Sequence, residues 1–414
     1  MKDRTKEVFF PLFALFVIFS DELFYSIMSI LDIPIESGMK SRVAIFIAVF
    51  TYCMMLVDVF KGKYNARNWR QYAALLIVLL LYGITAFNYP RGGYAFNNYV
   101  SSFLVYGALS IPATYVGMRL ARGGYEKAIL RYLPYYLLFV SVVVSYAIVT
   151  SSMQGIILGR GDEDFFNYQN ASYFISYCCA YCIFYVFFDP NKNKNLWGKL
   201  MYIAITVLIF LCAVSCLIGG GRGAFVYLLL VSAFLVYRIV VQSAKKNNVK
   251  YFLMLFGAAA VIIFLAAHFN IFDTVGAQRV AGNLTTDSIR TALHYKALSS
   301  FLQAPVIGHG LGSVWWEVGY YSHNLLFDFL VEMGIIGACI MTAIIIPMFT
   351  KLFRSSKGSQ FDMFILLIFL GHMVQAAFSG YWISSFLLFL IFGYVYGKNR
   401  VVGIKGAANS SLNR

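Results

Sequence analysis

Charge is scarce in this sequence. Only 12% of its 414 residues are charged, and the 18 Asp and Glu are outnumbered by 33 Lys and Arg. A soluble domain is about one-quarter charged, so soluble and secreted folds are excluded. Histidine is rarer still, at five. The seven cysteines all fall inside apolar runs. Cys179 and Cys182 have metal-like spacing, but no histidine or second pair accompanies them, which excludes a zinc signature and a disulfide framework. These cysteines read as small apolar helix residues. No internal repeat is visible. The first apolar run begins near Val8 and has no small-residue cleavage site behind it, so it reads as a retained helix rather than a signal peptide.

What fills the sequence instead is apolar and aromatic: 60% hydrophobic, with 39 Phe and 30 Tyr. Runs of roughly 20 apolar residues, long enough to cross a bilayer, recur along the whole chain. Twelve are expected, with centres near Val17, Val49, Val78, Tyr106, Val142, Cys179, Leu208, Leu230, Ala260, Ile336, Leu370 and Leu390. The expected fold is an all-α, polytopic integral membrane protein. A net charge of +15 would suggest nucleic acid for a soluble protein. Here it follows topology. With both termini on the cytoplasmic side, the outer segments hold only Lys40, Arg42, Arg91, Arg160, Arg222, Arg279, Arg290 and Lys296, and all other cations lie inside, as the positive-inside rule requires. The inner cations are topology signals and contacts for anionic membrane lipids, and no nucleic-acid partner is expected.

Lys40 and Arg42 flank the second span as anchors. Five of the remaining six outer cations are arginine, which stays charged everywhere and holds phosphate oxygens bidentately. The longest outer segment joins spans nine and ten, dividing the chain into helices one to nine (1–269), a loop (270–323) and helices ten to twelve with a tail (324–414). Within the loop, "DSIRTALHYKALSSFLQAP" predicts an amphipathic helix. Asp287 is its N-cap, Ile289, Leu293, Ala297 and Phe301 form its apolar face, and Pro305 follows its end. Arg290 and His294 are one turn apart on one face. "GHGLGS" (308–313) is a tight return or a weak phosphate-loop signal.

Arg222 stands in "GGGRGA", a turn so short that it must lie at the outer membrane boundary. It is either an interface anchor or a ligand-binding cation. His323 in "SHNLLFDFLVEMGIIG" closes the long loop at the outer end of span ten, as an interfacial histidine or a proton acceptor. Asn324, Asp328 and Glu332 recur every four residues and form a stripe down one helix face. A carboxylate at the depth of Glu332 needs a buried polar partner or water. Arginines that hold a pyrophosphate, with a histidine that takes a proton from a hydroxyl, would make a glycosyl-transfer site. Asp21 and Glu22 in span one are the features that favour a transporter instead.

"GGGRGA", "SIRTALHYKALSSFLQAPVIGHGLGS" and "SHNLLFDFLVEMGIIG", in that order, resemble the shared domain of bacterial O-antigen polymerases and O-antigen ligases. The resemblance covers about 218–346, with Gly221 where the family pattern has Ser. It implies a fold related to GT-C glycosyltransferases. Glycans on undecaprenyl diphosphate would be donor and acceptor, and neither metal nor cofactor would be required. A chain-length regulator protein would be a partner, and the site would face the periplasm from a Gram-negative inner membrane. The family's diphosphate-binding arginines fall on Arg222 and Arg290, with Arg279 and Arg160 as further candidates. Its catalytic histidine falls on His323, with Asn324, Asp328, Glu332 and His294 supporting. The Phe- and Tyr-rich composition resembles that of O-antigen cluster proteins, and on that association the polymerase is favoured. A ligase, and a lipid-oligosaccharide flippase of a different class, remain the alternatives.

Overall fold

The computed structural model describes residues 2–31, 39–61, 66–153, 168–188, 196–242 and 288–398. Among these residues the chain is helical and has no strand. Helix α1 is Lys2–Ile30, α2 Met39–Phe60, α3 Ala66–Thr85 and α4 Gly93–Val105. A π-helical turn, Tyr106–Ser110, leads into α5, Ile111–Arg122. Then follow α6 (Glu126–Met153), α7 (Tyr168–Phe188), α8 (Leu196–Gly219) and α9 (Arg222–Gln242). The C-terminal part comprises α10 (Ser288–Gln303), the short α11 (Val314–Glu317), α12 (Leu325–Ser355), α13 (Gln360–Phe378), a 3-10 turn (Trp382–Ser384) and α14 (Phe386–Lys398).

Eleven of the twelve expected centres fall on these helices. The twelfth, near Ala260, lies outside the described residues, as do Arg160, Arg279 and the C-terminal tail. Six segments are long and apolar enough to cross a membrane: Gly93–Arg122, Glu126–Thr150, Asn170–Phe188, Leu196–Gly219, Leu325–Ser355 and Gln360–Phe378. Four further apolar helices are shorter: Val8–Phe19, Ile45–Phe60, Leu75–Thr85 and Phe386–Lys398.

The chain forms two compact units that interleave along the sequence. The first comprises Met1–Ser37, Glu126–Leu284 and Ser356–Val374. Here α7 packs on α6, α8 and α9, and α6 packs on α1 and α8. Phe19 sits among Tyr136, Phe174 and Tyr181, with ring centroids about 6 Å apart, near the distance that favours edge-to-face contact. Cys178, Cys179 and Cys182 on α7 and Cys212 and Cys216 on α8 are buried free thiols, which supports their reading as small helix residues. Polar contacts join helix ends. The buried Arg238 donates to the Ser356 carbonyl (2.8 Å), Gln360 donates to the Phe188 carbonyl, and Ser172 lies under the turn after α8. Without water, such buried polar groups must find partners within the protein.

The second unit comprises Gly38–Tyr125, Thr285–Ser355 and Gln375–Arg414. Two of its polar clusters fix its ends. At one, Tyr115 donates to Asp58 (2.7 Å), and Arg119 donates to the Tyr115 hydroxyl (2.6 Å) and pairs with Asp58 (3.1 Å). This cluster closes the C-terminal ends of α2 and α5. Helices α5 and α14 approach closely beside it. A Cβ on Gly117 would lie 1.9 Å from the Leu390 carbonyl oxygen, the small-residue contact typical of helices packed in lipid. The other cluster gathers the starts of α4 and α12 and the segment between them in space, and it carries the candidate site.

Candidate functional site

The expected loop helix exists as α10, starting at Ser288, and packs on α12. Ala297 is fully buried, as its place in the apolar pattern requires. Arg290 lies in the first turn and is half-buried. His294, one turn further on, packs its ring on Phe327 of α12 (5.1 Å) and leaves a buried Nε2 without a hydrogen bond. The outward face of α10 is not purely polar. Tyr295, Leu298 and Leu302 are all exposed, as are Val306 and Ile307 beyond it. Apolar side chains therefore lie on both the packed and the exposed sides of α10, and the separation of faces expected of an amphipathic helix is weak.

The "GHGLGS" segment is neither a simple return nor an open phosphate loop. It is stitched to a break in α12. Gly334 adopts φ 62°, ψ −164° inside that helix. Normal i→i−4 bonds cannot cross such a residue, and the loop replaces them. His309 N–H donates to the Val331 carbonyl and Gly310 N–H to the Glu332 carbonyl, both at 2.9 Å. The N–H groups of Ile335 and Ile336 donate to the Pro305 and Val306 carbonyls, at 2.9 and 3.2 Å. Gly308 (φ 69°) touches the helix backbone so closely that a Cβ there would lie 2.5 Å from the Glu332 carbonyl carbon. The backbone N–H groups of His309 and Gly310 are thus committed to the helix. The spacing of the motif's glycines answers to this docking.

A second stitch holds the start of α12. Asn324 caps the helix, its Oδ1 accepting from the N–H of Leu326 (3.0 Å) and Phe327 (3.3 Å). The Ser322 hydroxyl donates to the Asn324 carbonyl (2.9 Å) and accepts its N–H (3.1 Å). Asp328 Oδ1 accepts the Ser322 N–H (2.8 Å). Ser322 and Asp328 are completely buried. Between these tethers His323 stands at φ 57°, the one non-glycine residue with positive φ among those described. A left-handed histidine is uncommon and persists only where its surroundings over-determine it. Its ring lies 4.4 Å from Tyr321 and 5.5 Å from Tyr320, centroid to centroid. The Tyr321 phenol is pushed well above the ordinary tyrosine range, first by burial and then by Tyr320, while the Arg290 charge opposes the shift. Arg290 is therefore within electrostatic reach of Tyr321, the ring beside His323.

Glu332 is fully buried and accepts hydrogen bonds from the Tyr381 hydroxyl and the Trp382 indole N–H (3.1 Å). This is the buried-partner role expected for a carboxylate at that depth. Burial, and next the Glu332 charge, raise the Tyr381 phenol well above its usual range. The stripe Asn324–Asp328–Glu332 is thus a scaffold of cap, loop tether and cross-link. His323, beside it, is partly exposed and is not part of that scaffold.

One polar network escaped the sequence reading. Glu317 accepts from the Tyr89 hydroxyl (2.6 Å) and the Ser300 hydroxyl (3.3 Å), and lies 3.7 Å from His309 Nδ1. His309 Nε2 meets the Ser300 carbonyl at 2.9 Å. A carbonyl can only accept, so this nitrogen carries the proton. The network ties α10, α11 and the segment before α4 together. The only signal for it was an acid, Glu317, in an outer segment poor in acids.

In the first unit, Arg222 is the first residue of α9, after a turn at Gly220 (φ 70°). Ser172 explains why Gly221 stands in that turn. A Cβ on Gly221 would lie 2.6 Å from the Ser172 Cβ and 3.1 Å from its hydroxyl oxygen. A serine side chain thus stands at this turn, contributed by α7. Within the second unit the structure brings together Arg290, His294, His323, Asn324, Asp328 and Glu332. Among the described residues no group of three or more His, Cys, Asp or Glu could hold a metal ion.

These features define a multi-span helical membrane protein with a histidine held at positive φ near an arginine-bearing loop helix. Residues 206–342 match the family model described as O-Antigen ligase, in agreement with the resemblance read from the motifs. The match covers less than half of the chain and includes Arg222, Arg290, His294 and His323. No curated protein matches the chain.

Proposed function

We propose that the protein is a glycosyltransferase that joins glycan units carried on undecaprenyl diphosphate at the periplasmic face of a bacterial inner membrane. The observation that carries this reading is His323, held left-handed by Ser322, Asn324 and Asp328 with Arg290 in electrostatic reach of its aromatic neighbour. A residue fixed at that cost has its ring aimed rather than merely accommodated. In the proposed step the acceptor hydroxyl oxygen attacks the anomeric carbon of the donor sugar. Its proton passes to a His323 ring nitrogen. The carbon–oxygen bond to the diphosphate breaks, and its electron pair leaves with the phosphate. Arg222 and Arg290, with Arg279 and Arg160 as further candidates, bind the diphosphate and stabilise its growing charge. Attack opposite the leaving group inverts the anomeric centre. The arginines supply the charge that a divalent metal supplies in other transferases, so the reading requires no metal or other cofactor.

This reading includes a GT-C-like bundle of twelve spans with cytoplasmic termini, and contacts between helix ends agree with the alternating orientation it requires. Each described contact joins ends assigned to the same side of the membrane, such as Asp58 with Arg119, Arg238 with Ser356, and Tyr381 with Glu332. The same groups would serve a ligase that transfers glycan to lipid A–core, a second reading favoured by the description of the matched family. We favour the polymerase on composition. A deletion strain separates them. Loss of a polymerase leaves lipopolysaccharide bearing a single repeat unit. Loss of a ligase leaves bare core, with polymer accumulating on undecaprenyl diphosphate. Long chains still attached to core would refute both.

A further inference from the structure

We propose that His309 and Glu317 are positioning residues for the donor: they clasp the end of α10 to α12, and the clasp places Arg290 where the diphosphate is gripped. This rests on the glycosyl-transfer reading above and adds to its diphosphate site two residues that do not touch the substrate.

The clasp is built from contacts on three sides. The backbone of His309 is tied to α12, its N–H donating to the Val331 carbonyl at 2.9 Å. Its imidazole reaches the other way and donates from Nε2 to the Ser300 carbonyl of α10, also at 2.9 Å. Ser300 lies in the last turn of α10, where the carbonyls have no donor within the helix. One residue thus bridges two helices. Beside the ring stands Glu317 of α11, with Oε1 3.7 Å from Nδ1, a contact longer than a hydrogen bond and electrostatic in character. Glu317 is fixed in turn. Its Oε1 accepts from the hydroxyl of Tyr89 (2.6 Å), whose ring stacks on Trp316 (4.6 Å, 11°). Its Oε2 accepts from the Ser300 hydroxyl (3.3 Å). Carbonyl and hydroxyl of Ser300 are therefore both held, and the residue is buried.

Helix geometry carries this grip to the other end of α10. Arg290 precedes Ser300 by about 15 Å at helical rise, so a tilt of about 5° around Ser300 moves Arg290 by roughly 1 Å. A misplacement of about 1 Å costs on the order of 10²-fold where a side chain must meet two phosphate oxygens at once. Between the two residues, His294 packs on Phe327 of α12 (5.1 Å). Ring packing resists separation but lets surfaces slide, whereas the directional bonds at Ser300 fix the register. The clasp also differs from the scaffold at the start of α12. Asp328 and Glu332 are fully buried, while the side chains of His309 and Glu317 are 18% and 21% exposed. Partly hydrated polar contacts add little to global stability. Removing this pair therefore loosens α10 and leaves the fold in place.

The test measures binding of farnesyl diphosphate, a soluble isoprenyl diphosphate, to the purified full-length protein in nanodiscs. His309→Ala and Glu317→Ala should each weaken binding about five- to tenfold, with thermal midpoints near wild type. Glu317→Gln keeps a partner for both Tyr89 and Ser300 and should restore most of the affinity lost in Glu317→Ala. Arg290→Ala binds weakly by itself, and adding His309→Ala to it should weaken binding no further, because the clasp acts through that arginine. Tyr89→Phe removes only the hydroxyl that orients Glu317 and keeps the ring on Trp316. It should lose affinity by a smaller factor, and it reports even if the alanine variants do not accumulate. Unchanged affinity in His309→Ala, Glu317→Ala and Tyr89→Phe would overturn the proposal. So would a full further loss on adding His309→Ala to Arg290→Ala, which would make the clasp a general brace. Failure of the wild-type protein to bind the diphosphate would instead remove the donor reading, and the role of the clasp with it.

Discussion

His323 shows how a single backbone angle separates chemistry from scaffold. Asparagine is among the few residues that tolerate the left-handed region, so His323→Asn keeps the backbone at φ 57° without strain while removing the proton acceptor. Alanine would add a conformational penalty that blurs the result. We expect His323→Asn to fold and accumulate as wild type and to lose about 10²–10⁴-fold in turnover, the usual contribution of a general base. Turnover at matched protein amounts checks this, and a fully active Asn variant would return His323 to a structural role. The histidine itself was legible in the sequence, from its place at the mouth of an apolar helix. Its conformation was not, because it depends on Asp328 accepting the N–H of Ser322, six residues earlier. The periodic stripe showed that Asn324, Asp328 and Glu332 share a face. The partners of Glu332 are about fifty residues away, in an aromatic pair, Tyr381–Trp382, that carries no polar signature of its own.

At the scale of elements, the long outer loop and α12 behave as one construction. The helix breaks at Gly334, and the 305–310 segment supplies the hydrogen bonds that the break removes. This coupling makes two glycines unequal in a way that can be measured. Gly308→Ala must accept both φ 69° and a Cβ pressed into the Glu332–Met333 backbone, whereas Gly319→Ala meets φ 87° in open space. Gly319→Ala should cost about 1–2 kcal/mol, the left-handed penalty alone, and Gly308→Ala roughly 2–4 kcal/mol, with overpacking added. Thermal unfolding midpoints of the purified proteins should rank wild type, Gly319→Ala, Gly308→Ala in descending order. The reverse order of the two variants would mean the stitch is not load-sharing. The start of α10 at Ser288 and of α12 at Leu325 were both legible, from capping and periodicity. The break was not. A glycine in an apolar run is compatible with an unbroken helix, as Gly337 shows three residues later, and only the paired glycines some 25 residues earlier hint at a docking partner.

For the whole molecule, hydropathy and the cation bias place helices at eleven of twelve expected positions. They do not reveal that the helices sort into two units interleaved along the chain. Such sorting depends on which faces pack, and a segment that is apolar all round does not advertise its partners. The topology makes a direct prediction. A reporter at Arg414 should be cytoplasmic, and one inserted in the 270–287 segment periplasmic. Periplasmic signals from both would contradict the twelve-span arrangement.

In the proposed reaction the arginines and His323 release a lipid diphosphate by moving its glycan to a hydroxyl. The most direct measurement is release of undecaprenyl diphosphate by the purified protein supplied with lipid-linked repeat units. The wild-type protein should release it in step with the new glycosidic bonds. Arg222→Lys and Arg290→Lys keep the cation but lose the planar fork that grips two phosphate oxygens, and both should be severely impaired at normal expression. Repeat units that cross the membrane with no diphosphate released would contradict glycosyl transfer and identify a transporter.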